Sequence, residues 1–389
     1  MKEREIVEEF LQLVKTDVQS RNERKLADVL KEKLTALGLE VVEDDTAVKV
    51  GGNAGNIIAR LIGDPNLPAV LLSAHMDRVM NAGNIIPLVH EEKGIITSDG
   101  RSILAADNIA GVCAVLNGIR KIKSSDTPHG DIEIVFSVCE EIGVVGARHL
   151  DYKQFKAKIA YVFDAPGRIG RVITKAPTKC KIKIGVNGRS AHAGNEPEKG
   201  LNAIKVAAVA LNRLQEGRIS THTTANFGSF HAGNGTNVVC DYAEILGEAR
   251  STNDHEIDHY LEGVRRTFAN VAAEYKTEIN VNTHVLYHTF SIDETAAIAR
   301  IAAKAMRNIG IEVNFASSGG GMDGNHFNAN GIQAIGIAVG YSKNHTHEEQ
   351  VVISDMVKCG ELIPELVKEL STSKELRVTD NINNRKLEA

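Results

Sequence analysis

The chain has 389 residues, 43% of them hydrophobic and 24% charged, with 45 Lys and Arg against 50 Asp and Glu for a formal net charge of −5. That length exceeds what one hydrophobic core usually supports, so two domains are expected. With 4% aromatic residues, no Trp and an acidic balance, the chain lacks both the basic field and the stacking residues of a general nucleic-acid binder.

The apolar runs, such as Ile159 to Phe163, are strand-sized, far below the roughly 20 residues of a membrane-spanning helix. The first residues, MKEREIVEEF, are acidic and basic by turns with no apolar run and do not read as a secretory signal. The cysteines are Cys113, Cys139, Cys180, Cys240 and Cys359, an odd number with no CxxC pair. Neither a disulfide framework nor a thiolate zinc site is expected from them, and a cytoplasmic protein with reduced thiols is.

Residues 2 to 37 read as helices, because Ile6, Phe10, Leu11 and Val14, then Leu26, Val29, Leu30 and Leu34, recur at helical spacing before Gly38. From there to about residue 175, short apolar runs (Ala69 to Ser73, Ile132 to Val138, Ile159 to Phe163) alternate with helical stretches such as Ile109 to Ile122. That alternation predicts an α/β domain with a mostly parallel, buried sheet. Residues 178 to 288 differ: strand Lys181 to Val186, helix Leu201 to Leu214, strands Thr236 to Cys240 and Ala243 to Arg250, helix His255 to Tyr275, strand Glu278 to Leu286. This β-α-β-β-α-β order predicts a small ferredoxin-like domain inserted into the larger one. The α/β pattern resumes with helix Thr295 to Ile309, strand Ala334 to Ala338 and helix Ser354 to Leu370, and ends in a polar tail.

Residues capable of chemistry concentrate at the ends of the strand-like runs. His75-Met76-Asp77 follows Ala69 to Ser73; Glu140-Glu141 follows Ile132 to Val138; Asp164 follows Phe163; Asn344 to Glu349, with His345 and His347, follows the strand ending at Val339. Asp107 precedes the helix Ile109 to Ile122, where Asp is also an expected N-cap. Each motif alone reads equally well as a turn, a cap or a solvated acidic patch. Their conjunction points to a catalytic metal site of imidazoles and carboxylates without thiolates. Five such ligands are too many for one tetrahedral zinc with an open position and suit two metals sharing a carboxylate. Gly319, Gly321 and Gly324 spell a dinucleotide fingerprint, but no long helix and no suitably placed acid follow.

The segments Ser73 to Asp77, Ile96 to Gly111, Glu140 to Gly146, Phe163-Asp164 and His345 to Glu349 together resemble the co-catalytic di-zinc metallopeptidase family. That family includes peptidase T, the aminoacylases, glutamate carboxypeptidase and succinyl-diaminopimelate desuccinylase, and the peptidase T-like branch is the nearest match. The resemblance implies a di-zinc exopeptidase α/β domain over 1–176 and 289–389 and an inserted lid and dimerisation domain over 177–288. It implies that His75 and Asp164 bind one metal, Glu141 and His345 the other, and that Asp107 bridges them. His347 is the rival to His345, which is preferred because it stands four residues before Glu349. Asp77 would orient His75, and Glu140 would be the general base toward a metal-bridging water. The segment Gly188 to Gly194 resembles the lid motif whose histidine, here His192, reaches the partner subunit's site and stabilises an oxyanion. Asn237 and Arg250 resemble substrate-carboxylate contacts, and Gly320 lies in a glycine-rich loop lining the substrate pocket.

The implied activity is hydrolysis of short peptides from the free N-terminus by a homodimer holding two zinc ions per subunit, with cobalt or manganese as substitutes. An N-acyl-amino-acid amidohydrolase or a carboxypeptidase of the same family is the alternative. Two departures from the family pattern bear on specificity: Asn108-Ile109-Ala110 follows Asp107 in place of a second acid and a basic residue, and Arg78 stands where a small residue is usual. Arg78, placed beside the metals, would favour an acidic substrate.

Overall fold

The computed structural model describes residues 2–79, 84–373 and 375–376. The chain divides into two compact units, Met1–Ala176 with Ser291–Ala389, and Pro177–Phe290. The polar tail from residue 377 onward lies outside the described residues.

In the first unit four strands run parallel in the spatial order Ile132–Ser137, Val70–His75, Ile159–Ala165, Gln333–Ala338. All residues of the first three are buried, which is why their sequences are continuous apolar runs rather than alternating ones. The margins are antiparallel: Ile57–Leu61 pairs with Ile132–Ser137, and Arg171–Ala176 with Gln333–Ala338. The mostly parallel sheet expected from the sequence is therefore the centre of a mixed one. Helix Ala106–Lys123 is buried along most of its length and packs against helix Ile353–Thr372 and strand Val70–His75. Gly111 lets the helix lie close against strand Ile159–Ala165: a Cβ there would lie 2.1 Å from the Phe163 carbonyl oxygen.

A second, small antiparallel sheet places Tyr341–Ser342, Gln350–Val352, Ile95–Ser98 and Pro87–His90 side by side. Its strands are two to four residues long, too short to leave a periodic signal. It holds both ends of the loop that carries His345.

The second unit is a five-stranded antiparallel sheet in the order Gly217–Arg218, Thr223–Ala232, Tyr242–Ser251, Thr178–Asn187, Ile279–Tyr287. Helices Ala203–Asn212 and Asp254–Tyr275 complete its core through Val206, Ala207, Val264 and Phe268, packed with Ile182, Ile184 and Ile245. The expected strand Thr236 to Cys240 does not form; that segment has only a single bridge, Val238 to His192. The strand at this place in the order is Thr223–Ala232. Its sequence, TTANFGSFHA, is polar and carries a Gly and a bulge between Asn226 and Ser229, whereas the apolar, β-branched Val238-Val239 misled the reading. Among the described residues no helix is long and apolar enough to cross a membrane. All five cysteines are free and buried.

Candidate metal centre

Parallel strands bring their carboxyl ends to one edge of the sheet, and this is where α/β folds place ligands. His75 ends its strand and is in register with Ser137, two residues before Cys139. Asp164 lies near the end of the neighbouring strand Ile159–Ala165. Three strand ends thus bring His75, Glu140-Glu141 and Asp164 together.

Asp107 enters from the start of its helix, where Asp107 and Asn108 have non-helical dihedrals and share a cis peptide bond. Its two carboxylate oxygens face different partners. Oδ1 is 3.1 Å from His75 Nε2, and Oδ2 is 3.3 Å from His345 Nε2. His75 Nε2 also lies 3.4 Å from Asp164 Oδ1, and His345 Nε2 lies 3.1 Å from Glu141 Oε2. His75, Asp107 and Glu141 each offer a ligand atom within 4.8 Å of the others. His347 is exposed on the same loop as His345.

A ring of supporting bonds surrounds these groups. The Asp77 carboxylate accepts from the Glu140 N–H at 2.8 Å, the Glu141 N–H at 3.2 Å and the Ser20 hydroxyl at 2.6 Å. His75 Nδ1 makes its hydrogen bond with the Asp77 carbonyl oxygen at 3.1 Å, while the Asp77 carboxylate is 3.5 Å away. Asp77 therefore serves the Glu140-Glu141 turn as much as the imidazole. One residue earlier in that turn, the Cys139 N–H donates to Glu23 at 3.1 Å. Asn344 donates to Asp107 Oδ2 at 2.9 Å, and the Tyr341 hydroxyl donates to Asp164 Oδ1 at 3.2 Å. Asp323 accepts from Ser73 and Ser137 at 3.1 and 2.6 Å. Glu23 and Tyr341 carry no motif of their own; Asn344 lies in the run Asn344 to Glu349 and Asp323 in the glycine-rich run, but only their long-range partners reveal their supporting roles.

The electrostatics follow from crowding buried carboxylates. Burial, then Asp164, Glu141 and Asp323, raise Glu140 well above the ordinary range against the pull of His75. Burial and Asp107 raise Glu141, and burial is the largest cause that moves Asp164 up to about 7. Burial alone would depress His75, but Asp164, Asp107 and Asp77 hold it well above its usual value. Hydrogen bonds to Asp107 and Glu141 raise His345 to about 10. Asp107 is also buried, yet His345 and His75 hold it low. Carboxylates repelling one another in a dry site are the environment a divalent cation relieves. Oxygen and imidazole donors without thiolate suit catalytic zinc, cobalt or manganese. The residues present therefore fit a metal centre.

Arg78 is not part of it. Its side chain is 1% exposed, its guanidinium donates to the carbonyls of Leu13 and Val14 at 2.8 and 3.0 Å, and burial lowers it to about 10. It closes the end of helix Lys2–Val14, which removes the basis for the expected acidic-substrate preference. Ile109 is likewise buried.

His192, Asn237 and Arg250 lie in the second unit. His192 Nδ1 accepts from the N–H groups of Gly194 and Asn195, both at 3.1 Å, which leaves the ring proton on Nε2. The Ala193 N–H donates to the Asn237 carbonyl at 3.0 Å. Arg250 pairs with Glu248 at 2.7 Å. Gly320 belongs to the turn before Asp323, where its N–H donates to Ser318 at 3.1 Å.

Residues 178–276 match the family described as peptidase dimerisation domain, and residues 56–176 match peptidase family M28. The chain is 37% identical to the uncharacterised protein YqjE of Bacillus subtilis over 94% of this chain and 98% of that protein. It is 36% identical to the solved aminopeptidase PepT of Bacillus cereus, with a TM-score of 0.87 over 95% of this chain and 99% of that one. It is 35% identical to a solved tripeptidase of Staphylococcus aureus, with a TM-score of 0.90 over the same shares. On this identity and coverage, carried through both units, the chain belongs to the peptidase T-like metallopeptidases.

Proposed function

We propose that the chain is a tripeptide aminopeptidase with two zinc ions per subunit, cobalt and manganese serving as substitutes. His75 and Asp164 would hold one ion and Glu141 and His345 the other, with Asp107 shared. The observation that carries this reading is the division of the Asp107 carboxylate, with Oδ1 toward His75 and Oδ2 toward His345. Divalent ions held there would supply polarisation of the scissile carbonyl and acidification of water.

The chain's own residues supply the proton handling. Glu140 takes the proton of the attacking water on its carboxylate and passes it to the departing amine. The Asp77 carboxylate fixes the Glu140 and Glu141 amides and so aims the base and its neighbour. His192 would reach the partner subunit's site and donate its Nε2–H to the carbonyl oxygen as charge builds there, a role that its bonded Nδ1 supports. Arg250 and Asn237 of the second unit are the proposed contacts to the substrate carboxylate, and Gly320 is the proposed pocket-wall residue of the first unit.

The proposed homodimer joins through the second unit. Among the described residues, strand Thr223–Ala232 pairs on its outer side with the two-residue strand Gly217–Arg218, and Ile204, Phe230 and Val238 of this unit are 41, 41 and 48% exposed. An open edge with apolar neighbours suits pairing with a second copy. Five unpaired cysteines fit the cytoplasm. The reading is tested by incubating the zinc- or cobalt-loaded protein with a plain tripeptide and its N-acetylated form. Release of the N-terminal residue from the free peptide only is expected. Cleavage of the acetylated form only would move the assignment to an amidohydrolase or carboxypeptidase.

A further inference from the structure

Glu349 is fully buried and ties together two parts of the site that are distant in sequence. Its Oε2 accepts from the Ala105 N–H at 2.6 Å, and its Oε1 accepts from the Asp107 N–H at 2.9 Å, across 242 residues of chain. The first amides of a helix have no partner within the helix, and here Asp107 and Asn108 are not helical at all. The helix therefore does not by itself fix the Asp107 backbone.

The loop that begins at Tyr341–Ser342 and ends at Gln350–Val352 grips Asp107 twice. Asn344 donates to its carboxylate at 2.9 Å, and Glu349 accepts from its amide. The same loop carries His345, held at a positive φ of 63°, and the Glu349 N–H closes a turn onto the Thr346 carbonyl at 3.1 Å. Movement of Glu349 would shift His345 and Asp107 relative to each other. Both carboxylate oxygens are engaged at once, a geometry that neither an amide nor a shorter acid reproduces.

We propose, on the metal-centre reading above, that Glu349 is a positioning residue that sets the spacing of Asp107 and His345 by clamping the Asp107 amide to the His345 loop. Both of its carboxylate oxygens are taken by main-chain amides, so it acts through Asp107 and the His345 loop. Groups that orient metal ligands typically account for 10- to 100-fold in metal affinity or activity.

The test compares wild type, Glu349→Gln and Glu349→Asp as full-length protein. Cobalt is titrated into the metal-free form and followed by its visible absorbance, and kcat and KM are measured on a tripeptide. Gln turns an N–H₂ toward one of the two amides, and Asp reaches only one of them. For Glu349→Gln the expected result is roughly 10- to 100-fold weaker cobalt binding at one site, an altered spectrum and a similar fall in kcat, with KM within about threefold. Glu349→Asp is expected between the two.

Wild-type affinity, spectrum and kcat in a folded Glu349→Gln protein would overturn the proposal. So would a loss of thermal stability with cobalt binding unchanged, or failure of both variants to fold, since either makes Glu349 structural only. If instead wild type binds no cobalt, the metal-centre reading itself fails.

Discussion

The Tyr341 hydroxyl lies 3.2 Å from Oδ1 of Asp164, and the tyrosine is 1% exposed. A buried phenol must find a partner for its O–H, and here the partner is the carboxylate that faces His75. The bond fixes one rotation of the Asp164 side chain. Tyr341→Phe keeps the packing and removes only the donor. It is expected to weaken cobalt binding roughly 10-fold and to lower kcat similarly, measured by titration and by tripeptide turnover. Unchanged affinity would show that packing alone orients Asp164.

Glu23 beneath the Cys139 turn gives a pH prediction. Burial, and then Asp77, raise it from 4.5 to about 7. Between those values the folded chain keeps a proton that the unfolded chain has lost, so its contribution to stability falls as pH rises through the window. The difference of about 2.5 units corresponds to at most about 3 kcal/mol at roughly 1.36 kcal/mol per unit. In urea unfolding of metal-free protein, the stability of wild type relative to Glu23→Gln should decline from pH 4.5 to pH 7. A difference that stays flat or rises with pH would contradict it.

Arg78→Met removes a buried cation that donates to two main-chain carbonyls; the Leu13 carbonyl keeps the Thr16 N–H at 3.1 Å, while the Val14 carbonyl loses its guanidinium donor. The expected cost is about 3 kcal/mol of stability, read from the unfolding midpoint. Relative kcat/KM on acidic and neutral tripeptides should not change. A shift in that ratio without loss of stability would return Arg78 to the substrate site.

His75, Glu141 and Asp164 stand out in the sequence because apolar strand-like runs end at or just before them, a local signal; Asp107, at a helix start, and His345, in a loop, become candidate ligands only through the conjunction of motifs and the family resemblance. The sequence does not disclose Glu23, Asp323 or Tyr341. Their partners lie 116, 186 and 177 residues away, and no local pattern encodes such a bond. The same limit explains Arg78: its neighbours in sequence are the metal motif, but its side chain turns to Leu13 and Val14. The inserted unit is legible through its helices, while its polar strand Thr223–Ala232 is hidden, because that strand gains its place from pairing with Tyr242–Ser251 rather than from apolar periodicity.

The most direct test of the account is Glu140→Gln. The substitution keeps the volume and the Asp77 bond to its amide but removes the carboxylate that would take the proton. Loss of a general base typically lowers kcat by about 10²- to 10⁴-fold. Metal content and tripeptide KM are measured on the same preparation. The account predicts a loss in that range with two metal ions still bound per subunit. Turnover within a few fold of wild type would contradict it.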